Sequence, residues 1–201
     1  MLAIRGLLLI LAVFIGYQTY LVIMEPIEFE RIEKKRTGEV KAMLEELRDA
    51  QKLYEKQYDV YNPSLNGLLA WIDTGRVDIR LRKDSSFMYY SNVYQKEMSK
   101  DTTFYRVIGQ NTVKQELYGT DNYDPYKLRY VPFTDDKVEW EIETNEINRN
   151  AVKLPTVQIT AKLSDIYHDL IEKGLYTNFI DEEEDLHIGA LYEPTLSGNW
   201  K

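Results

Sequence analysis

The residues best suited to hold a cation form two clusters of carboxylates. Asp121 and Asp124 lie in the turn-rich segment GTDNYDPY, and the run DEEED occupies 181–185. Calcium takes six to eight oxygen ligands, many of them carboxylates, and neither cluster has the spacing of an EF-hand loop. We interpret both clusters as solvated turns. Asp121 and Asp124 are kept as a candidate calcium site, and we expect the protein to need no cofactor.

The sequence contains no motif that is typical of catalysis. It has no phosphate-binding loop, no glycine-rich dinucleotide turn and no G-x-S-x-G nucleophile elbow. The two histidines, His168 and His187, lack a metal-ligand spacing, and the absence of cysteine excludes thiolate zinc sites and cysteine catalysis. We interpret both histidines as structural and expect a non-enzymatic protein.

The charge balance narrows the classes of partner. Acidic residues number 33 and basic residues 25, so the formal net charge is −8. A nucleic-acid-binding surface needs clustered Lys and Arg to neutralise phosphates, and this chain is therefore not expected to bind nucleic acid. With 29% charged and 44% hydrophobic residues, the 201-residue chain suits one apolar leader and one compact domain.

The segment RGLLLILAVFIGYQTYLVIMEP, at 5–26, predicts a membrane anchor. No charged residue occurs between Gly6 and Met24. A helix over 6–24 is roughly 28 Å long, close to the thickness of a bilayer's hydrocarbon core. A cleaved signal has a shorter apolar region followed by a small-x-small site, which YLVIMEP lacks. We predict a retained single-pass anchor over 1–25, with a cleaved signal as the alternative.

Two residues of this anchor are candidates for helix–helix contact in the membrane. Gly16 is small and allows close approach, and Gln18 can hydrogen-bond to a neighbouring helix. Basic residues are more numerous after the span than before it, but acidic residues are interleaved with them. Long domains cross membranes largely regardless of charge. A strict count of basic residues would place the C-terminal side inside, but for these reasons we expect the C-terminal domain to be external.

The segment 26–60 predicts a long amphipathic helix. Its apolar residues keep the three-four spacing of a helix, and Pro26 is expected to kink or interrupt it. The N-terminal half is highly charged, so we expect it to stand clear as a stalk. Val40, Leu44 and Leu47 belong to an apolar stripe in the C-terminal half. These three residues either pack the helix on the domain or form an assembly seam.

We predict that 61–201 form an α+β domain packed on the C-terminal half of that helix. YNPSLNGLLAWIDTG predicts a helix that begins at Asn62 and Pro63 and ends at Gly75. TFYRVIG is a short strand candidate, and YKLRYVPFTDDKVEWEIE predicts a hairpin around FTDD. TVQITAKL and LHIGALYE alternate as strands do, with a short helix between them that Ser164 would cap. The expected fold is α+β, with a transmembrane helix continuing into a long amphipathic helix on a small antiparallel sheet.

Residues 5–75 resemble the pilin-like proteins of type II secretion and type IV pili, especially the major pseudopilin. RGLLLILAVF is similar to the family's leader junction, where a basic residue and Gly precede an apolar helix. Pro26 stands about where that family has its helix-kinking proline. KAMLEELRDAQKLYEKQYDVYNPSLNGLLAWI is similar to the family's long helix with its Leu-rich second helix. The resemblance implies a subunit or accessory of a secretion or pilus-type assembly, held in the inner membrane by a single span with its C-terminal domain periplasmic or external.

The chain departs from the family pattern at two positions. The family has Phe after the processing glycine and Glu five residues into the mature helix, where this chain has Leu7 and Leu11. That Glu helps to register subunits in the filament, and cleavage after Gly6 is therefore an open question. The C-terminal half, with LRYVPFTDDKVEWEIE, resembles uncharacterised single-pass envelope proteins of the Bacteroidetes, to which no activity is attached.

Two functions follow as expectations. The first is a membrane-anchored structural or interaction protein of the bacterial envelope, whose partners are the membrane, other envelope or secretion-assembly proteins, or further copies of itself. The alternative is a tethered domain that binds glycan or peptide, because SFMYYSNVYQ and DTTFYRVIGQ are rich in aromatic residues. Three or more clustered exposed rings would favour ligand binding, and rings packed between strands would favour the first function.

Overall fold

The computed structural model describes residues 2–149 and 152–200. Its first element is one continuous helix, α1 (Leu2–Tyr58), which passes through Pro26 without ending. At 1.5 Å per residue it is about 85 Å long. The expected anchor and the expected amphipathic helix are therefore two parts of a single element.

The second helix, α2 (Leu65–Thr74), packs its apolar face into the core. It begins after Ser64, whose hydroxyl accepts a hydrogen bond from the Gly67 N–H at 3.3 Å. The predicted start at Asn62 and Pro63 was therefore two residues early. The buried residues are the Leu and Ile positions of the predicted helical face, Leu65, Leu68, Leu69 and Ile72.

A long two-stranded hairpin follows, and we call it the arm (76–112). Strands β1 (Arg76–Ser91) and β2 (Lys96–Thr112) pair antiparallel and form a sheet of their own. A bulge interrupts the register between Ile79 and Arg80. Only a short strand at TFYRVIG was predicted here, so the prediction was too small.

The remaining elements form a second sheet with short helices. The sheet has three antiparallel strands in the order β3-β4-β5, with β4 in the centre. In chain order the elements are α3 (Val113–Tyr118), a 3-10 helix (Pro125–Leu128), β3 (Glu141–Arg149), β4 (Val152–Lys162), α4 (Leu163–Ile166), α5 (His168–Glu172) and β5 (Asp185–Gly189). The fold is thus α+β, with a long N-terminal helix and small antiparallel sheets.

Two local predictions in this region were wrong. The hairpin around FTDD is reduced to a single antiparallel bridge between Tyr130 and Glu139, because the chain before it forms the 3-10 helix. Ser164 does not cap a helix: it lies inside α4, which starts after Lys162 without a side-chain cap. The predicted single helix is divided into α4 and α5 at Tyr167.

The core forms where α1 meets α2 and the three-stranded sheet. Val40, Leu44 and Leu47 of α1 are fully buried, and Val157 and Ile159 of β4 belong to the same apolar cluster. Burial on α1 already begins at Phe29, which is 8% exposed. The expected stalk is therefore wrong, because the domain packs on both halves of the segment 26–60.

Candidate functional site

The N-terminal part of α1 exposes apolar side chains on all sides. Leu7, Ile10 and Val22 are each 68% exposed, and the most apolar window of the helix is 0% buried. The hydroxyl of Thr19 in this part donates to the carbonyl of Ile15 at 2.8 Å, so the helix satisfies it internally. A folded domain rarely exposes so much contiguous apolar surface to water. This helix is long and apolar enough to span a membrane.

The two predicted contact residues of this segment do not share a face. Gly16 has no atom within 4 Å of where a Cβ would stand, and Gln18 is exposed. Residues two apart on a helix point in nearly opposite directions. Gly16 and Gln18 would therefore serve two different neighbouring helices.

An aromatic cluster seats the domain close to the apolar segment. The ring of Phe29 lies 5.8 Å from that of Tyr167, 5.7 Å from that of Tyr176 and 5.6 Å from that of Phe179. Phe29 follows Met24, the last residue of the uncharged span, by a rise of about 8 Å. A bilayer around the span would therefore lie against the base of the domain.

Arg36 joins α1 to the short helices α4 and α5 of the domain. Its Nη1 and Nη2 donate to the two carboxylate oxygens of Asp169 at 2.5 and 2.9 Å, and Nη1 also donates to the Ile166 carbonyl at 2.7 Å. The guanidinium lies 5.1 Å from the ring centre of Phe133 and 5.6 Å from that of Tyr167. The hydrogen bonds from Arg36 lower the pKa of Asp169. We call this contact the Arg36 clasp.

Val40, Leu44 and Leu47, the candidate seam residues, lie in the interior. Each is 0% exposed and contacts other core residues of the same chain. One turn further along, the Gln51 side chain exchanges two hydrogen bonds with the backbone of Asn62, at 2.8 and 2.9 Å. This part of α1 is therefore occupied by its own domain.

The carboxylates of the candidate cation site stabilise local turns. Asp121 accepts a hydrogen bond from the Thr112 hydroxyl, and Asp124 accepts one from the Tyr126 N–H at 3.1 Å at the start of the 3-10 helix. In the DEEED run, Asp181 accepts from the Glu183 N–H in the same way. Within 2–149 and 152–200, no three His, Cys, Asp or Glu residues are arranged to hold a metal ion.

Both histidines contact carboxylates near the surface. Nδ1 of His187 lies 3.0 Å from the carboxylate of Asp185, on the same strand. Nε2 of His168 lies 3.8 Å from the carboxylate of Asp135. His168 also lies next to Asp169, whose pKa its charge helps to lower. In these contacts both histidines have carboxylate or carbonyl partners.

The arm is the largest functional candidate, and the sequence reading underestimated it. Both of its faces are open: Leu81, Met88, Tyr90, Phe104 and Tyr105 are each more than half exposed. The signal that could have found it is the presence of two long runs of β-forming residues on either side of the turn at 92–95. That signal is weak because the arm buries neither face, and its strands therefore lack a regular apolar alternation.

The arm is fixed to the end of α1 by a hydrogen-bonded base. The Gln57 side chain exchanges two long hydrogen bonds with Asp78 of β1, at 3.4 and 3.5 Å, and Gln110 of β2 donates to Asp78 at 2.9 Å. These donors lower the pKa of Asp78, with Gln110 the largest cause. A groove of about 560 Å³ lies between this base and the last turn of α1.

The exposed rings of the arm are distributed over two faces. Antiparallel partners point to the same side, so Phe87, Tyr89 and Phe104 share one face, and Tyr90 and Tyr105 share the other. All five rings are exposed. On the first face Phe87 and Phe104 stand roughly 13 Å apart along the strands. The exposure favours an interaction surface, and the spacing gives a row of rings rather than one stacking platform.

No family model matches the chain, and no curated protein and no solved structure does so either. The described residues define an α+β protein whose long N-terminal helix is apolar enough to cross a membrane. Its function is therefore argued from these surfaces.

Proposed function

We propose that this protein is a membrane-anchored structural or interaction protein of the bacterial envelope, which holds the domain and its arm at the membrane surface. In this proposal the N-terminal part of α1 crosses the inner membrane once, and the domain stands on the periplasmic or outer side. The role is mechanical and non-enzymatic.

The observation that carries this proposal is the change of surface along the single helix α1. Leu7 and Ile10, near its start, are exposed, whereas Leu44 and Leu47 are completely buried. One rigid helix thus joins an apolar rod to a folded domain. Because the helix continues without a break, a force or displacement at one end is transmitted to the other.

The domain is held on this helix by more than apolar packing. The Phe29 ring cluster grips α1 near the apolar segment, and the Arg36 clasp adds two hydrogen bonds to Asp169 about two turns further on. The Gln57–Asp78 contacts then connect the far end of the helix to the arm. The arm is therefore rooted roughly 50 Å from Met24 along the helix axis.

The pilin-like form of this proposal makes a further claim about processing. A subunit of a secretion or pilus-type assembly would lose the residues up to Gly6, and an accessory protein would keep them. The long helix on a small antiparallel sheet supports the resemblance. However, Leu11 stands where the family has Glu, and this difference favours an accessory role. The intact mass of the protein from native membranes separates the two.

Carbonate extraction of native membranes tests the anchor. The wild-type chain is expected in the pellet, and a Leu11→Arg, Ile15→Arg variant in the supernatant, since each Arg at the centre of a span costs about 2.5–3.5 kcal/mol. Leu175→Arg is the matched control, because Leu175 is an exposed leucine outside the span, and it should stay in the pellet. A wild-type chain that is extracted, or shortened by about 20 residues, would contradict the anchor.

The exposed rings support a second candidate function, a tethered domain that binds glycan or peptide. Aromatic faces stack on sugar rings and on peptide side chains, and Phe87 and Tyr89 stand two residues apart on one face. A Phe87→Ala, Tyr89→Ala variant of the full chain in nanodiscs, screened against a glycan array, tests this. If the wild type binds a glycan and the variant does not, the result would support ligand binding by these rings. If the wild type binds no glycan, the result would contradict this second candidate function.

A further inference from the structure

In its outer part, residues 81–106, the arm carries opposite charge on its two faces, whereas nearer its base the exposed Arg80 lies on the same side as the acidic residues. We call the side that bears the odd-numbered residues of 81–91 and the even-numbered residues of 96–106 the basic face. It carries four basic residues and no acidic one, namely Lys83, Lys96, Lys100 and Arg106. The acidic face is the opposite side, which bears the even-numbered residues of 82–90 and the odd-numbered residues of 97–105. It carries three acidic residues and one basic residue, namely Asp84, Glu97, Asp101 and Arg82.

Both faces also carry large apolar side chains. The basic face has five, Leu81, Phe87, Tyr89, Met98 and Phe104, and the acidic face has three, Met88, Tyr90 and Tyr105. All of them except Met98 are exposed. Each face is therefore a mixed surface of apolar groups and charges of one dominant sign.

A hairpin of this kind needs a cover. An isolated two-stranded sheet is marginally stable in water, and it gains stability when another layer packs on it. The arm forms a two-stranded sheet of its own, and its described face residues are mostly exposed. The surface that covers it must offer acidic groups to one face and basic groups to the other.

We propose that this cover is a second copy of the same arm, with the basic face of one copy packed on the acidic face of the next. Both complementary surfaces are present on one element, and they have the same length by construction. The inference goes beyond the proposed function and rests on it in one respect: the anchor would hold all arms at the same height above the membrane.

The charge pattern favours this occupant over a lipid surface. An anionic bilayer would attract Lys83 and Lys100 but would leave the acidic face and its ring of Tyr90 uncovered. Stacking of copies covers both faces. Because the contact joins unlike faces, it does not close on itself as a twofold dimer does, and it extends to a row or a ring of copies.

The dimensions of the arm predict a weak contact that depends on the membrane. A face over 81–91 measures roughly 33 Å by 10 Å, so one stack buries on the order of 700 Å² in total. Stable complexes in solution usually bury about 1,200–2,000 Å². Stacking is therefore expected where anchoring concentrates the copies and not in dilute detergent solution.

Cysteine cross-linking tests the arrangement, because the chain has no cysteine of its own. Ser85 and Ser86 are neighbours that point to the basic and the acidic face, respectively. Differently tagged Ser85→Cys and Ser86→Cys copies of the full chain are co-reconstituted in liposomes and treated with a short bis-maleimide. The mixed pair should cross-link about tenfold more than either variant with itself, since like faces repel each other.

Charge reversal adds a rescue. Lys83→Glu with Lys100→Glu on the Ser85→Cys copy should reduce the mixed cross-link about tenfold, and Glu97→Lys with Asp101→Lys on the Ser86→Cys copy should restore it to within about twofold. These four positions are exposed, so circular dichroism should show unchanged folding.

Three outcomes would overturn the inference. The first is that cross-links between like faces exceed the mixed ones, and the second is that charge reversal leaves the mixed yield unchanged. The third is that spin labels on the lipids quench a fluorophore attached at Ser85→Cys, which would mean that the arm lies on the bilayer. Carbonate extraction of the same samples keeps the two proposals apart. Copies that stay in the pellet without a mixed cross-link contradict stacking alone, and copies that leave the pellet contradict the anchor.

Discussion

The Arg36 clasp makes the strongest prediction about stability. In an Arg36→Met variant the side chain keeps most of its apolar contact with Phe133 and Tyr167 but loses the hydrogen bonds to Asp169 and the Ile166 carbonyl. Hydrogen bonds to charged groups each contribute about 1.5–3 kcal/mol. The side chain of Asp169 is 33% exposed, so water replaces part of what it loses. We expect a decrease of about 2–3 kcal/mol in the free energy of unfolding.

Urea unfolding of the full chain in mild detergent, followed by tryptophan fluorescence, measures this decrease. Arg31→Met is the control, because Arg31 lies on the same helix and is exposed. Surface substitutions of this kind change stability by at most about 0.5 kcal/mol. Equal effects of the two substitutions would refute the assigned role of Arg36.

The clasp also predicts a pH dependence with a definite sign. Arg36 lowers the pKa of Asp169 below its unfolded value of about 3.9. A carboxyl with a lowered folded-state pKa stabilises the fold at pH values above its unfolded pKa, and this contribution is lost as the pH falls through the folded pKa. The stability difference between the wild type and Arg36→Met should therefore be constant above about pH 5 and shrink below pH 4. The bond to the Ile166 carbonyl does not titrate, so part of the difference remains at low pH. A difference that stays fully constant from pH 6 to pH 2 would contradict the ionic part of the argument.

Three further substitutions test the interior by the same unfolding measurement. Leu44→Ala should cost about 2–5 kcal/mol because Leu44 is 0% exposed, whereas Leu175→Ala, at a 47% exposed leucine, should cost under about 1 kcal/mol. Gln51→Leu should cost about 1–3 kcal/mol, since it leaves the buried N–H and C=O of Asn62 without partners, and an unchanged free energy of unfolding would contradict the role of these two hydrogen bonds. Gly189 has φ +83°, and a Cβ added there would clash with a carbonyl oxygen of β4. Gly189→Ala should therefore prevent β5 from pairing normally, and a wild-type free energy of unfolding in that variant would contradict this geometry.

The elements that could be predicted are those whose pattern is local. The uncharged run from Gly6 to Met24 gives an apolar helix whatever surrounds it, and the three-four spacing around Leu44 gives a buried helical stripe. The alternation of Val157 and Ile159 likewise places both side chains on the inner face of one strand. In each case neighbours in the sequence are also neighbours in space, and the local pattern is therefore enough to predict the element and its buried side.

The elements that were missed depend on contacts between distant parts of the chain. Phe29 lies in a highly charged segment that was expected to be a stalk. Rings about 140–150 positions later in the chain, those of Tyr167, Tyr176 and Phe179, pack around it. In the sequence Arg36 is one of several basic residues that follow the span, and only the fold brings Asp169 to it. Long-range packing overrides local polarity at both places.

The sequence by itself determined the apolar N-terminal helix, the α+β class and the absence of a recognisable catalytic motif, because composition and periodicity are properties of the chain alone. The tertiary structure decided where that helix meets the domain and how the arm divides its charges. The register of β1 on β2 places Lys83 beside Phe104 and Asp84 beside Thr103, which sorts basic and acidic side chains to opposite faces. That sorting depends on which residue pairs with which across the hairpin, so no reading of either strand alone contains it.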